Sequence, residues 1–168
     1  MTVKSRLISA ALAGALHACP AQAADPDPCG ADMVCASNPQ SVVEALQGAG
    51  YQAQLGKSGT TGNPRIESGA SGYKFSIFFY ECEKNAKCGS LQFQLSFADD
   101  GTNTPELANK WNNSKRFLQM SVDDDKSLSV SLDVATIGGL NRKNFADVLD
   151  WWTTMLGELN GFFKEQGS

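Results

Sequence analysis

Leu128-Ser129-Val130-Ser131-Leu132-Asp133-Val134 decides the fold. Leucine and valine alternate with serine and aspartate, the period of a strand that buries one face and wets the other. Gly138-Gly139 breaks the pattern, and Asn141 stands as the N-cap of a long helix. Along it Phe145, Val148, Leu149, Trp152, Met155, Leu156, Leu159 and Phe162 recur every three or four residues, giving one broad apolar stripe. A one-faced strand and a one-faced helix each have surface to bury, and packing one layer on the other satisfies both.

The same periods extend upstream. Phe117 to Val122 reads as a strand turned by Asp123-Asp124-Asp125-Lys126, and Thr104-Pro105-Glu106 opens a helix through about Lys115 with Leu107, Ala108 and Trp111 on one side. Leu91, Phe93, Leu95 and Phe97 alternate with Gln92, Gln94 and Ser96 until Asp99-Asp100-Gly101 closes the strand. Tyr73 to Tyr80 is aromatic and β-branched enough for a strand buried on both faces at its centre. Gly56 to Gly72, rich in Gly, Ser and Thr, reads as a loop with a brief extended piece around Arg65-Ile66-Glu67. A short strand, Tyr51 to Leu55, precedes it. Before that, Asn38-Pro39 starts a helix carrying Val42, Val43, Leu46 and Ala49, which Gly50 stops.

The order is helix, several strands, helix, two strands, long helix. Short turns between neighbouring strands make the sheet antiparallel, so the expected fold is α+β, with about five to six strands packed with three helices. Residues 39–165 form one domain, preceded by a short Pro-containing segment, 24–38, held by a cysteine pair.

Residues 1–23 read as a cleavable signal peptide. Lys4 and Arg6 give the charged start, Leu7 to Ala18 the apolar run, and Ala21-Gln22-Ala23 the small residues before cleavage. Leu16-His17-Ala18-Cys19 offers a competing acylation site. Histidine is out of place there and the downstream Ala-x-Ala is well formed, so a free periplasmic or secreted product is preferred to a lipid anchor on Cys19. Cleavage removes the single histidine, His17, and leaves four of the five cysteines.

In an oxidising compartment four cysteines form two disulfides, and spacing favours Cys29 with Cys35 and Cys82 with Cys88. The second pair brackets the charged turn Glu83-Lys84-Asn85-Ala86-Lys87 at the open end of a hairpin. Each short loop stabilises by roughly 2 kcal/mol on the chain-entropy estimate.

The formal charge of −4 grows more negative when Lys4 and Arg6 leave, which works against nucleic-acid and anionic-membrane partners. No later stretch is apolar for long enough to span a bilayer. Loss of the histidine excludes Ser-His-Asp and Cys-His catalysis and histidine-containing zinc sites, and no phosphate or dinucleotide fingerprint occurs. No cofactor or metal is expected. Paired carboxylates remain as catalytic material at Asp123 to Asp125, Asp99-Asp100 and Glu81/Glu83, each at a turn or strand end where solvated acids are ordinary.

Two aromatic features stand out. Trp111-Asn112 precedes Arg116 at a helix-to-strand junction, where indole, amide and guanidinium can grip a peptide or small ligand. The plainer reading, which we favour for Trp111, packs the indole on the sheet while Asn112 and Arg116 tie the junction. Trp151 falls beside the core stripe of the last helix and widens its apolar surface, as a helix crossing a sheet or shared with a partner would need.

The run Leu107-Ala108-Asn109-Lys110-Trp111-Asn112-Asn113-Ser114-Lys115-Arg116-Phe117 resembles the W-N…R-F block of the bacterial YbjN-type domain. Val43-Glu44-Ala45-Leu46 before Gly50-Tyr51, Phe79-Tyr80-Glu81-Cys82, Asp133 and the late Trp-rich helix are also similar, over roughly Pro39 to Phe163. The resemblance implies a fold like the type III secretion chaperones, which wrap partner proteins and often dimerise, and a role in sensory transduction. It supplies no catalytic residues, and Glu81 stands where glycine is more usual. The expected function is an exported, non-catalytic protein- or peptide-binding module of the envelope. A carboxylate-dependent hydrolase, or an enzyme inhibitor using the Gly56 to Gly72 loop as a plug, are the alternatives.

Overall fold

A computed structural model describes residues 29–167. Residues 1–23 and Cys19 therefore lie outside the described residues. The elements run β1 (Met33–Val34), α1 (Pro39–Gly48), β2 (Gln54–Lys57), β3 (Pro64–Ala70), β4 (Tyr73–Tyr80), β5 (Ser90–Phe97), α2 (Pro105–Ser114), β6 (Gln119–Val122), β7 (Leu128–Ala135), β8 (Leu140–Asn141) and α3 (Arg142–Gln166). Six strands form one antiparallel sheet in the order β2-β3-β4-β5-β7-β6, and β1 pairs with β8 in a second, small sheet. This is the expected α+β architecture.

Alternation sets the two faces. Ile66, Phe75, Ile77, Phe79, Leu91, Phe93, Val130 and Leu132 are buried on one side of the sheet. The apolar stripes of α1, α2 and α3 join them in a single cluster. Each large side chain enclosed this way contributes about 1.5–3 kcal/mol relative to exposure. The other face is polar and knitted across strands. Gln92 donates to Asp133 at 2.9 Å, Ser129 to Asp123 at 2.7 Å, and Arg65 to Ser76 at 2.9 Å. At the centre of β4, Phe75 and Ile77 are buried on the helix side and Ser76 on the polar side, where Arg65 and Glu67 bond to it.

Asn141 caps α3 by accepting from Asn144 N at 2.8 Å, and Gly167 ends it in the left-handed region. Across the sheet Trp152 of α3 meets Phe75 and Phe93 at ring-centroid distances of 5.3 and 5.5 Å. That contact fixes the rotation of the helix about its axis.

Three segments differ from the sequence reading. Gly56 to Gly72 is mostly a β2–β3 hairpin, paired from Gln54↔Glu67 to Lys57↔Pro64, so the turn left to act as a plug is short. Its polar composition reflects an edge position and a tight turn, where Ser58 N donates to Asn63 O at 2.8 Å. The strand expected at Tyr51 to Leu55 begins only at Gln54. The segment before α1 is tied by more than its cysteines: β1 pairs with β8, Val34 and Ala36 are fully buried, and Ala36 N donates to Thr136 Oγ1 at 2.9 Å.

Cys29 is joined to Cys35 and Cys82 to Cys88. The second bond closes the β4–β5 hairpin around a two-residue turn in which Lys84 (φ 50°) and Asn85 (φ 62°) are both left-handed. Glu81, at φ 55°, adopts a conformation that glycine tolerates and other residues pay about 1–2 kcal/mol to enter. Glu81→Gly relieves that strain while loosening the unfolded chain. We expect it to leave stability unchanged or raise it by up to about 1 kcal/mol in thermal melts of the oxidised protein. A drop in melting temperature would show that the carboxylate itself holds the hairpin.

Candidate functional site

The junction between α2 and β6 begins with a good cap. Thr104 accepts from Leu107 N at 3.2 Å, and Pro105 occupies the first turn. One turn later the helix buries Trp111 completely, and its ring meets Phe162 of α3 edge-on at 5.3 Å. Trp111 Nε1 donates to Leu118 O at 2.9 Å. Asn112 works as a two-pronged strand mimic: Nδ2 donates to Met120 O and Oδ1 accepts from Met120 N, both at 2.9 Å. Together they occupy backbone groups of Met120 in β6 and of Leu118 just before it, along an edge otherwise open to another strand.

To reach those bonds the chain must turn sharply after α2. Lys115 is extended, and Phe117 lies at φ 71°, a left-handed conformation that is an outlier for a bulky residue. The expected strand Phe117 to Val122 therefore starts at Gln119. Phe117 emerges at the surface, 39% exposed, and stacks on Trp151 of α3, also 39% exposed, with ring centroids 4.2 Å apart and planes 21° from parallel. The Arg116 guanidinium lies over the Phe117 ring at 4.9 Å. Beside it Lys115 is ion-paired to Glu158 of α3.

The structure thus divides the residues singled out in the sequence. Arg116 and Trp151 come together on the surface, joined by Phe117. Trp111 is enclosed in the core and Asn112 binds the strand edge, so both support the surface from beneath. Phe117 was missed as a site residue. Its place beside Arg116 in the W-N…R-F run is the only sequence signal for it.

The acidic residues make a poorer case. Glu81, Glu83, Asp99, Asp100 and Asp123 to Asp125 are all exposed. Asp100 and Asp125 are held below the ordinary aspartate range by hydrogen bonds from Thr102 and Ser127, the opposite of the upward shift a general acid needs. Whatever stability these two turns contribute is present above the ordinary aspartate range and is lost as pH falls through the lowered values. Among the described residues no cluster of three or more His, Cys, Asp or Glu is placed to hold a metal ion.

Comparisons with known proteins bear on the family and the fold. Residues 38–164 match the YbjN family model, described as "Putative bacterial sensory transduction regulator". The chain belongs to the YbjN family. A solved structure, the crystal structure of YbjN, "a putative transcription regulator" from E. coli, superposes with a TM-score of 0.50 at 14% identity. The match covers 77% of this chain and 94% of that one, a likeness of fold. No curated protein of similar sequence was found. The W-N…R-F block of the YbjN resemblance is the α2–β6 junction itself. Of its four residues, two seal a strand edge and two display a guanidinium and a ring.

Stability should separate the core indole of Trp111 from the exposed indole of Trp151. Trp111→Ala opens a core cavity and is expected to cost about 3–5 kcal/mol, and Asn112→Ala about 1–3 kcal/mol by leaving Met120 unpaired. Trp151→Ala removes a ring that is already 39% exposed and should cost less than Trp111→Ala, about 1–3 kcal/mol. Urea melts with the disulfides intact check the order.

Proposed function

We propose that this protein is a non-catalytic regulator of the bacterial envelope that binds a partner protein or peptide through the Arg116–Phe117–Trp151 surface. One observation carries the reading: a half-exposed phenylalanine held in a left-handed backbone conformation. Such strain persists only where the surroundings over-determine it, and it concentrates at binding and switching sites. Here the surroundings are Trp111 and Asn112, whose bonds to Leu118 and Met120 tie the chain to α2 immediately after the strained residue. The result is an aromatic, amphipathic patch on rigid elements, the composition that dominates binding hot spots.

The family description supports regulation rather than turnover, and the exposed, self-bonded acids offer hydrolysis little. Transcriptional regulation is named for the E. coli relative. For this chain a net acidic composition disfavours direct binding to DNA. Export rests on the leader-like residues 1–23 and fits two disulfides, which oxidising compartments sustain. No helix among the described residues is long and apolar enough to cross a membrane.

Two measurements test the proposal. In cell fractionation the protein should appear in the periplasm or medium with all four mature cysteines blocked to alkylation. Cys19→Ser should not alter that distribution, whereas a cytoplasmic, reduced protein would sink the envelope assignment. A photo-crosslinking residue at position 117 or 151 should capture a discrete partner in living cells, while one at Lys74 on the polar sheet face should not. Equal labelling at all three positions would remove the surface from consideration.

A further inference from the structure

The same surface indicates what kind of segment suits it, an inference that rests on the binding role proposed above. Arg65, Arg142 and Lys115 are ion-paired to Glu67, Glu44 and Glu158. Arg116 is exposed, and its guanidinium has no ion-pair or hydrogen-bond partner among the described residues, in a chain where 18 acids face 14 bases. A guanidinium over a ring has its face occupied and its edge open. That edge carries N–H donors in the fork that a carboxylate fits with two parallel bonds.

Charged residues surround the stack. Glu158 is neutralised by Lys115, the residue before Arg116. Asp147 and Asp150 of α3, both exposed, stand within about one turn of Trp151 and put negative charge on its side of the stack. A carboxylate is therefore drawn to the guanidinium of Arg116, the cation that lies on the stack. Beside Phe117 a depression of about 550 Å³, lined among others by Lys115, Leu118, Gln119 and Ser121, has room for neighbouring side chains.

We infer that the bound segment belongs to a partner protein and carries an aspartate or glutamate directly beside a large apolar or aromatic residue. The acid takes the open edge of Arg116. The apolar side chain lies on the Phe117–Trp151 rings and in the depression beside them.

Selection of random linear peptides of about 12 residues on the oxidised protein tests this. Enriched sequences should pair Asp or Glu with Phe, Tyr, Trp or Leu, and a synthetic copy of the best should bind by calorimetry. Arg116→Glu and Trp151→Ala should each weaken it by about tenfold or more, and Arg116→Lys should weaken it by less. Lys143→Glu, an exposed charge change on α3 away from the stack, should leave affinity within about twofold. Selection repeated on Arg116→Glu should move the consensus toward Lys or Arg. Melts of each variant confirm that it is folded. Trp151-dependent peptides without an acid would overturn the inference and leave the binding role standing. Peptides indifferent to Trp151, or no enrichment at all, would overturn it too, and the crosslinks at 117 and 151 then decide whether the surface binds anything.

Discussion

Trp152 is the residue on which the placement of everything else turns. Its burial against Phe75 and Phe93 locks the rotation of a helix that runs the length of the domain. An α-helix advances about 100° per residue, so a Trp152 pointed into the sheet leaves Trp151 at the flank of the helix and half in water. The same rotation carries Glu158 and Phe162 toward α2, where they meet Lys115 and Trp111. Core packing thus determines which side of α3 faces the α2–β6 junction. The site is a consequence of that choice.

At the junction, edge protection and surface display are one device. β6 is a four-residue edge strand and needs its outward backbone groups satisfied or shielded. Asn112 does so with a side-chain amide that copies the donor–acceptor pair of a neighbouring strand, and Trp111 adds its indole N–H. Both side chains come from α2, so the chain must double back within a few residues. Phe117 absorbs the reversal in a conformation that glycine would enter without strain. At the opposite edge, β2 relies on brevity and on Lys57 instead.

The periodic parts of the fold were legible in the sequence because their side chains repeat. Leu128 to Val134 and the Phe145–Phe162 stripe each specify a face, and Asn141 and Thr104 announce helix starts through their own hydrogen bonds. Short loop closure made both disulfide pairings readable as well. What stayed hidden lacks a period or depends on distant residues. β1 and β8 are two residues each, too short to show alternation, and the β2–β3 hairpin is written in Gly, Ser and Thr because it lies at an edge. For the site, the adjacency of Arg116 to Phe117 was visible, and Trp151 was marked as off the core stripe. Their meeting was not visible, since it needs the rotation of α3 and a φ angle at Phe117 that no residue type announces.

A surface made this way is braced on both sides of Phe117. Leu118 and Met120 on its C-terminal side are held to α2, and Lys115 on the other is paired to α3. Exposed aromatic area on a free protein invites non-specific association. Here the two rings cover one another, a guanidinium lies over Phe117, and acids flank Trp151 in sequence at Asp147 and Asp150. These neighbours reduce the bare apolar area while leaving edges and charges available. On the proposed binding role, a partner has to match the charges as well as the rings. The cost of ordering these side chains is met in folding, which suits the binding role proposed for them.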